Sequence, residues 1–223
     1  MLDSRNGDGT SGQTEDVAGS TPSACQGGTP PSDLYSRDER KQLLQLARET
    51  VREAAVSGQR PKVNASVFPA KLSEIKGCFV TLTKAGQLRG CIGNIFALEP
   101  LFQAVVDNAF SAVLQDYRFE PVQPEEVARL EIEISVLTTP QPLKFKSPED
   151  LLTKLQPHRD GVVLNLSGHS ATYLPQVWEQ LLDKVRFLES LSQKAGSPAS
   201  AWREAGASVM IYHVEAFQES AVR

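Results

Sequence analysis

Residues Leu130 to Leu137 run Leu-Glu-Ile-Glu-Ile-Ser-Val-Leu, with apolar and polar side chains alternating from Leu130 through Val136. A period of two puts Ile132, Ile134 and Val136 on one face and Glu131, Glu133 and Ser135 on the other. That is the pattern of a strand with one face on a core and the other turned outward. Pro140 and Pro142 are expected to end it.

The rest of the chain supplies partners for such a strand. Gly77-Cys78-Phe79-Val80-Thr81-Leu82-Thr83 is rich in β-branched and aromatic residues, and Leu88 to Gly93 returns after the turn Lys84-Ala85-Gly86-Gln87. With a four-residue loop, Thr83 faces Leu88, Val80 lies opposite Cys91, and Cys78 opposite Gly93. That register places Cys78, Val80, Leu82, Arg89 and Cys91 on one face; a slip of one residue would invert it. Residues 161–166 and 170–174 read as a second hairpin across Ser167-Gly168-His169, and residues 208–217 as one final strand.

Helices are expected between these strands. Ser36-Arg37-Asp38-Glu39 is a capping box for a helix over about residues 37–57, stopped by Gly58. Glu99-Pro100 opens a second helix with a wide apolar face from Leu101 to Leu114. Ser147-Pro148 starts a third near residues 148–155, and Asp183 caps a fourth running to Ala195. Interspersed helices and hairpins indicate an α+β fold with a mostly antiparallel sheet covered by helices.

Residues 1–33 hold almost no large apolar side chains and are rich in Gly, Ser, Thr, Pro and Asp. Such a segment cannot bury enough surface to offset its ordering entropy, so residues 1–35 are read as a disordered tail before a domain over 36–220. Residues 1–36 hold five acids against one base and account for the net charge of −4. The neutral remainder argues against nonspecific nucleic-acid binding, which depends on neutralising phosphates. No apolar run approaches the roughly 20 residues needed to cross a bilayer, and the start Met1-Leu2-Asp3-Ser4-Arg5-Asn6 is not a secretory signal. A cytoplasmic protein with no membrane association is expected. Cys25, Cys78 and Cys91 are too few for a disulfide framework, and His158, His169 and His213 show no ligand spacing, so no metal and no cofactor are expected.

Chemistry concentrates in Leu88-Arg89-Gly90-Cys91-Ile92-Gly93. A thiolate is a nucleophile, and a nearby guanidinium lowers a thiol pKa. Cys91 is therefore a candidate nucleophile, Arg89 its activator and His169 a candidate base if the second hairpin folds over the first. Gly90 and Gly93 would let backbone N–H groups approach a ligand. The competing reading is structural, because cysteine is among the most buried residue types and strand glycines mark close packing. Asp116 and Arg118 straddle Tyr117 and could bind a polar ligand or lock the end of the helix. Gln176 could reach a cleft, while Trp178 beside it is read as core.

These residues resemble one family. Leu88 to Gly93 is similar to its signature hexapeptide, Asp116-Tyr117-Arg118-Phe119 to its D-x-R-F loop, and Glu133 to Leu137 to its E-x-S-V-L strand. Leu174-Pro175-Gln176-Val177-Trp178-Glu179-Gln180 and Lys194-Ala195-Gly196 resemble two further blocks. On these motifs the chain resembles the AMMECR-type domain, whose bacterial form is the AmmeMemoRadiSam system protein A. The resemblance implies two interleaved subdomains around a cleft and an association with a Memo-type protein and a radical SAM protein. It implies no established reaction. The leading expectation is an accessory protein binding a ligand or partner in a cleft lined by Arg89, Gly90, Gly93, Asp116, Arg118 and Gln176. A cysteine-dependent enzyme using Cys91 is the alternative, and an RNA-related binding module a weaker one.

Overall fold

A computed structural model describes residues 35–96 and 98–222. The tail expected over residues 1–33 lies outside them. Two antiparallel four-stranded sheets and five α-helices make up the described residues, an α+β fold. Among them, no helix is long and apolar enough to cross a membrane.

Helix α1 (Arg37–Ser57) begins at the capping box: Ser36 Oγ accepts the Glu39 N–H at 3.3 Å and Glu39 Oε2 accepts the Ser36 N–H at 2.7 Å. It ends at Gly58, whose left-handed φ of 70° suits a residue without Cβ. Strands β1 (Cys78–Lys84) and β2 (Gln87–Asn94) form the first hairpin, followed by α2 (Leu101–Leu114). The alternating segment is β3 (Leu130–Leu137). The first sheet has the order β2-β1-β3-β8, where β8 is Val214–Gln218. Helices α1 and α2 cover one face of it, and Leu43, Val51, Val80, Leu82, Val105, Ile132 and Ile134 fill the space between.

The chain then leaves this sheet to build the second, of order β4-β7-β5-β6. Its strands are β4 (Gln141–Leu143), β5 (Gly161–Leu166), β6 (His169–Tyr173) and β7 (Ser208–Tyr212). Helices α3 (Pro148–Lys154) and α4 (Lys184–Lys194) lie with one face of it around Trp178, Phe187, Leu188 and Trp202. Trp178 is stacked on Phe187 at 3.6 Å between ring centroids and donates its indole N–H to the Asp160 carbonyl at 2.7 Å. A third apolar group joins the sheets: Phe79, Leu137 and Val214 from the first meet Val163, Met210 and Tyr212 from the second. The short helix α5 (Glu219–Val222) follows β8.

Two expectations are corrected here. Residues 208–217 are not one strand; they break at His213 and change sheets. The His213 N–H is accepted by Thr138 Oγ1 and the Thr138 N–H by the His213 carbonyl, both at 2.9 Å. This pair closes the backbone where the ladders end. The prolines do follow the end of β3 at Leu137, as expected, and Pro142 itself sits in β4, an edge strand where a missing N–H is tolerated.

The second correction concerns the first hairpin. The turn pairs as expected, Thr83 with Leu88 and Lys84 with Gln87, but a bulge follows at Arg89. Leu82 then faces Gly90, Val80 faces Ile92, and Thr81 faces Cys91. The bulge keeps the apolar run of β1 opposite Ile92 instead of opposite Cys91. It also sets Gly90 beneath α2, where a Cβ would collide with the Ala112 carbonyl oxygen. Gly90→Ala should therefore cost about 1–3 kcal/mol, the usual range for overpacking. Urea unfolding would show this as a lower midpoint; an unchanged midpoint would mean that α2 can retreat at no cost.

Candidate functional site

With the register corrected, Cys91 turns away from the helices. Its face of the first sheet also carries Thr81, Phe79, Gly93, Glu133 and Ser135. Thr81 Oγ1 donates to Cys91 Sγ at 3.3 Å, and Cys91 is half-buried. Cys91 and Thr81 form the close, non-hydrogen-bonded kind of antiparallel pair, because the Cys91 backbone groups point outward from the edge strand.

Those outward groups are held by the Asp116-Tyr117-Arg118 loop. Asp116 Oδ2 accepts the Cys91 N–H at 2.9 Å, and Arg118 donates to the Cys91 carbonyl at 3.0 Å. The two side chains also bind each other, Arg118 Nε to Oδ1 at 2.8 Å and the terminal guanidinium nitrogen to Oδ2 at 2.6 Å. A carboxylate and a guanidinium thus meet the N–H and C=O that a neighbouring strand would otherwise take. The Arg118 hydrogen bonds, helped by the Cys91 N–H and opposed by burial, bring the Asp116 carboxyl down to about 2. The same contact raises Arg118. Tyr117 projects from the clamp with 95% of its surface exposed.

Arg89 is engaged elsewhere. From the bulge it binds Glu126 at 2.9 and 3.3 Å and donates to the Glu120 carbonyl at 2.8 Å. Lys84 binds the same carboxylate at 2.7 Å. Arg89 first, then Lys84 and the Gln123 N–H, bring Glu126 down to about 2. The expected pairing of Arg89 with Cys91 on one face is therefore corrected: the cation at the Cys91 backbone is Arg118.

The room at both motif glycines is filled by the protein itself. A Cβ at Gly93 would strike the Phe79 ring and the Cys78 carbonyl, as one at Gly90 would strike α2. His169 is exposed at the tip of the β5–β6 hairpin, whereas that hairpin joins the apolar group shared with the first sheet through Val163 and through Leu174, beyond the other end of β6. The structure does not bring His169 to Cys91 by any hydrogen bond or ion pair. Gln176 is exposed on the turn Pro175–Glu179. His213 lies 3.3 Å from Asp160 and belongs to the crossing between sheets. No group of three or more His, Cys, Asp or Glu side chains suited to a metal occurs among the described residues.

Sequence reasoning passed over three residues at this site. Thr81 becomes visible only in the bulged register. Glu126 is signalled by the turn Gln123-Pro124-Glu125-Glu126, whose capping carboxylate also serves Arg89. Glu133, expected to be merely solvated, is half-buried opposite Thr81; burial chiefly, with Glu131 nearby, raises its carboxyl although Ser135 hydrogen-bonds it.

The fold and clamped edge define a class: a two-sheet α+β domain whose signature hexapeptide forms a bulged edge strand. The AMMECR1 family model matches residues 44–217, and the chain belongs to that family. A protein of Methanothermobacter thermautotrophicus is 35% identical over 185 residues, covering 82% of this chain and 96% of its own length. One of Thermococcus gammatolerans is 36% identical over 183 residues, covering 79% and 88%. The crystal structure of an uncharacterized Pyrococcus horikoshii protein superposes with a TM-score of 0.73 at 32% identity, covering 82% of this chain and 92% of that one.

Asp116 gives a pH prediction with a definite sign. A carboxyl at about 2 in the folded chain, against an ordinary value near 3.9, stabilises above about pH 4 and loses that contribution as pH falls toward 2. Water around the partly exposed Arg118 guanidinium reduces the effect to about 1–2 kcal/mol. Asp116→Asn should be less stable at pH 7 and lose less on acidification. A variant whose acid unfolding parallels the parent would show that the clamp carries no such linkage.

Proposed function

We propose that this protein is an accessory binding protein that holds a partner segment against the clamped sheet edge beside Cys91. The observation that carries this reading is Tyr117. A large amphipathic ring stands in solvent on a loop fixed at both flanking residues, so presenting it to a partner costs little further ordering. Tyrosines in this position are frequent energetic anchors of interfaces.

The partners we propose are a Memo-like protein and a radical SAM protein, with this chain as the protein A component of such a system and a cleft between the two sheets as part of the surface. A cytoplasmic setting belongs to the same reading. A second reading, Cys91 as nucleophile, draws support from Thr81 and Glu133 on the face of the thiol. It would need Glu133 rather than His169 as base.

Purified Memo-like and radical SAM proteins, mixed with the tagged chain at micromolar concentration, should be retained. Tyr117→Ala should weaken retention roughly tenfold, the loss of one interface anchor, with an unchanged melting temperature. Absence of any complex, or equal retention by the variant, overturns the reading. Alkylation by iodoacetamide addresses the alternative: Cys91 must react faster than a free thiol at neutral pH and slow in Glu133→Gln.

A further inference from the structure

The second sheet carries a cavity that the site at Cys91 does not use. It has a volume of about 440 Å³, within the range of small-molecule pockets, and lies between the segment following β4 and the turn Ala201–Arg203. Leu143, Phe145 and Ala207 give it apolar walls, and Lys144, Lys146 and Arg203 bring cations to it. Neither lysine forms an ion pair among the described residues. Arg203 reaches Glu189 at 3.5 Å between two partly exposed side chains, and the carboxylates of Glu149 and Asp150 lie near enough to feel Arg203 and Lys146 respectively. Glu204 is the one carboxylate in the lining, and the nearby Asp150 is already engaged by Lys154 and the Lys146 N–H.

Trp202 forms the inner wall. It is 1% exposed, and its indole N–H is buried without an acceptor. Burying a donor unpaired costs about 1–3 kcal/mol, so such a group calls for a cause. The other tryptophan shows the contrast, since Trp178 gives its N–H to Asp160. The Arg203 guanidinium lies over the Trp202 ring, 4.1 Å from its centroid, on a side chain that is itself partly exposed. A cation on the ring of a tryptophan whose N–H is unpaired, beside two lysines outside any ion pair and an apolar wall, fits one kind of guest.

We propose that this cavity binds an organic carboxylate. The carboxylate sits among Lys144, Lys146 and Arg203, one of its oxygens accepts the Trp202 N–H, and the carbon chain lies on Leu143 and Phe145. Charge alone would not use the indole donor or the apolar wall, and an uncharged chain would leave the cations idle.

The two tryptophans provide an internal control. In a ¹H–¹⁵N spectrum of the full chain, the two indole N–H signals are assigned by Trp202→Phe, or through the neighbouring Arg203→Lys if that variant fails to fold. Hexanoate is then titrated, with 1-hexanol and inorganic phosphate as separate probes. The expected result is a saturable downfield shift of the Trp202 signal with hexanoate, the Trp178 signal standing still. Lys144→Ser with Lys146→Ser, both surface changes, should weaken the apparent affinity roughly tenfold. An equal response to phosphate or to 1-hexanol overturns the assignment of an organic carboxylate. So does a shift that never saturates, moves both indoles together, or is absent.

Discussion

The first sheet depends on how its edge is closed, and Asp116 closes it. The carboxylate is almost fully buried, which would be costly for an unpaired charge. It is tolerable because four donors meet it: the Cys91 and Arg118 N–H groups and two guanidinium nitrogens. The clamp leaves β2 with no free N–H or C=O at Cys91, where an open edge would otherwise invite another chain. The Arg89–Glu126–Lys84 set does a similar task one bulge away, tying the turn of the hairpin to the segment that leads into β3. Two depressed carboxylates thus anchor one strand from two sides, and both depend on cations placed by the neighbouring loops.

The second organising device is the change of sheet at His213. A single extended run serves both ladders, so residues just before and after it must suit opposite environments. Tyr212 packs into the junction and bonds Thr172 and the Tyr173 carbonyl, while Phe217 returns to the core under α1. Burial raises the Tyr212 phenol to about 12, so the ring stays a neutral hydrogen-bonding post through the physiological range. The imidazole of His213 and the buried Asp160 face each other beside this post. Asp160 also accepts the Gln156 N–H and offers its carbonyl to Trp178. The junction is thereby connected to the core of the second sheet and not only to its rim.

Local signals were the legible part of the sequence. The capping box at Ser36, the Gly58 stop, the alternation of β3 and the Asp183 cap are settled within a few residues, and the structure has each of them. What was not legible depends on contacts between distant segments. A bulge at Arg89 is chosen because Ile92 must join the core and Gly90 must pass beneath α2, two demands set by a helix that begins many residues later. The break at His213 is set by Thr138, again far along the chain. His169 was a reasonable base on residue type, but only the pairing of β6 shows which end of the hairpin meets the first sheet.

This bears on how the hexapeptide is to be understood. Arg89 is required by the bulge and its Glu126 partner, Gly90 by α2, Ile92 by the core and Gly93 by Phe79. None of these four needs a ligand to explain its identity. Leu88 is exposed, and the backbone of Cys91 is used but its sulfur is not demanded by packing, since a serine hydroxyl could equally accept from Thr81. A motif can therefore be fixed for the most part by folding and still carry a function in the residue that folding leaves free. On that argument the discriminating side chains are Cys91, on the face shared with Thr81 and Glu133, and Tyr117, held in solvent beside it by the same carboxylate that closes the edge.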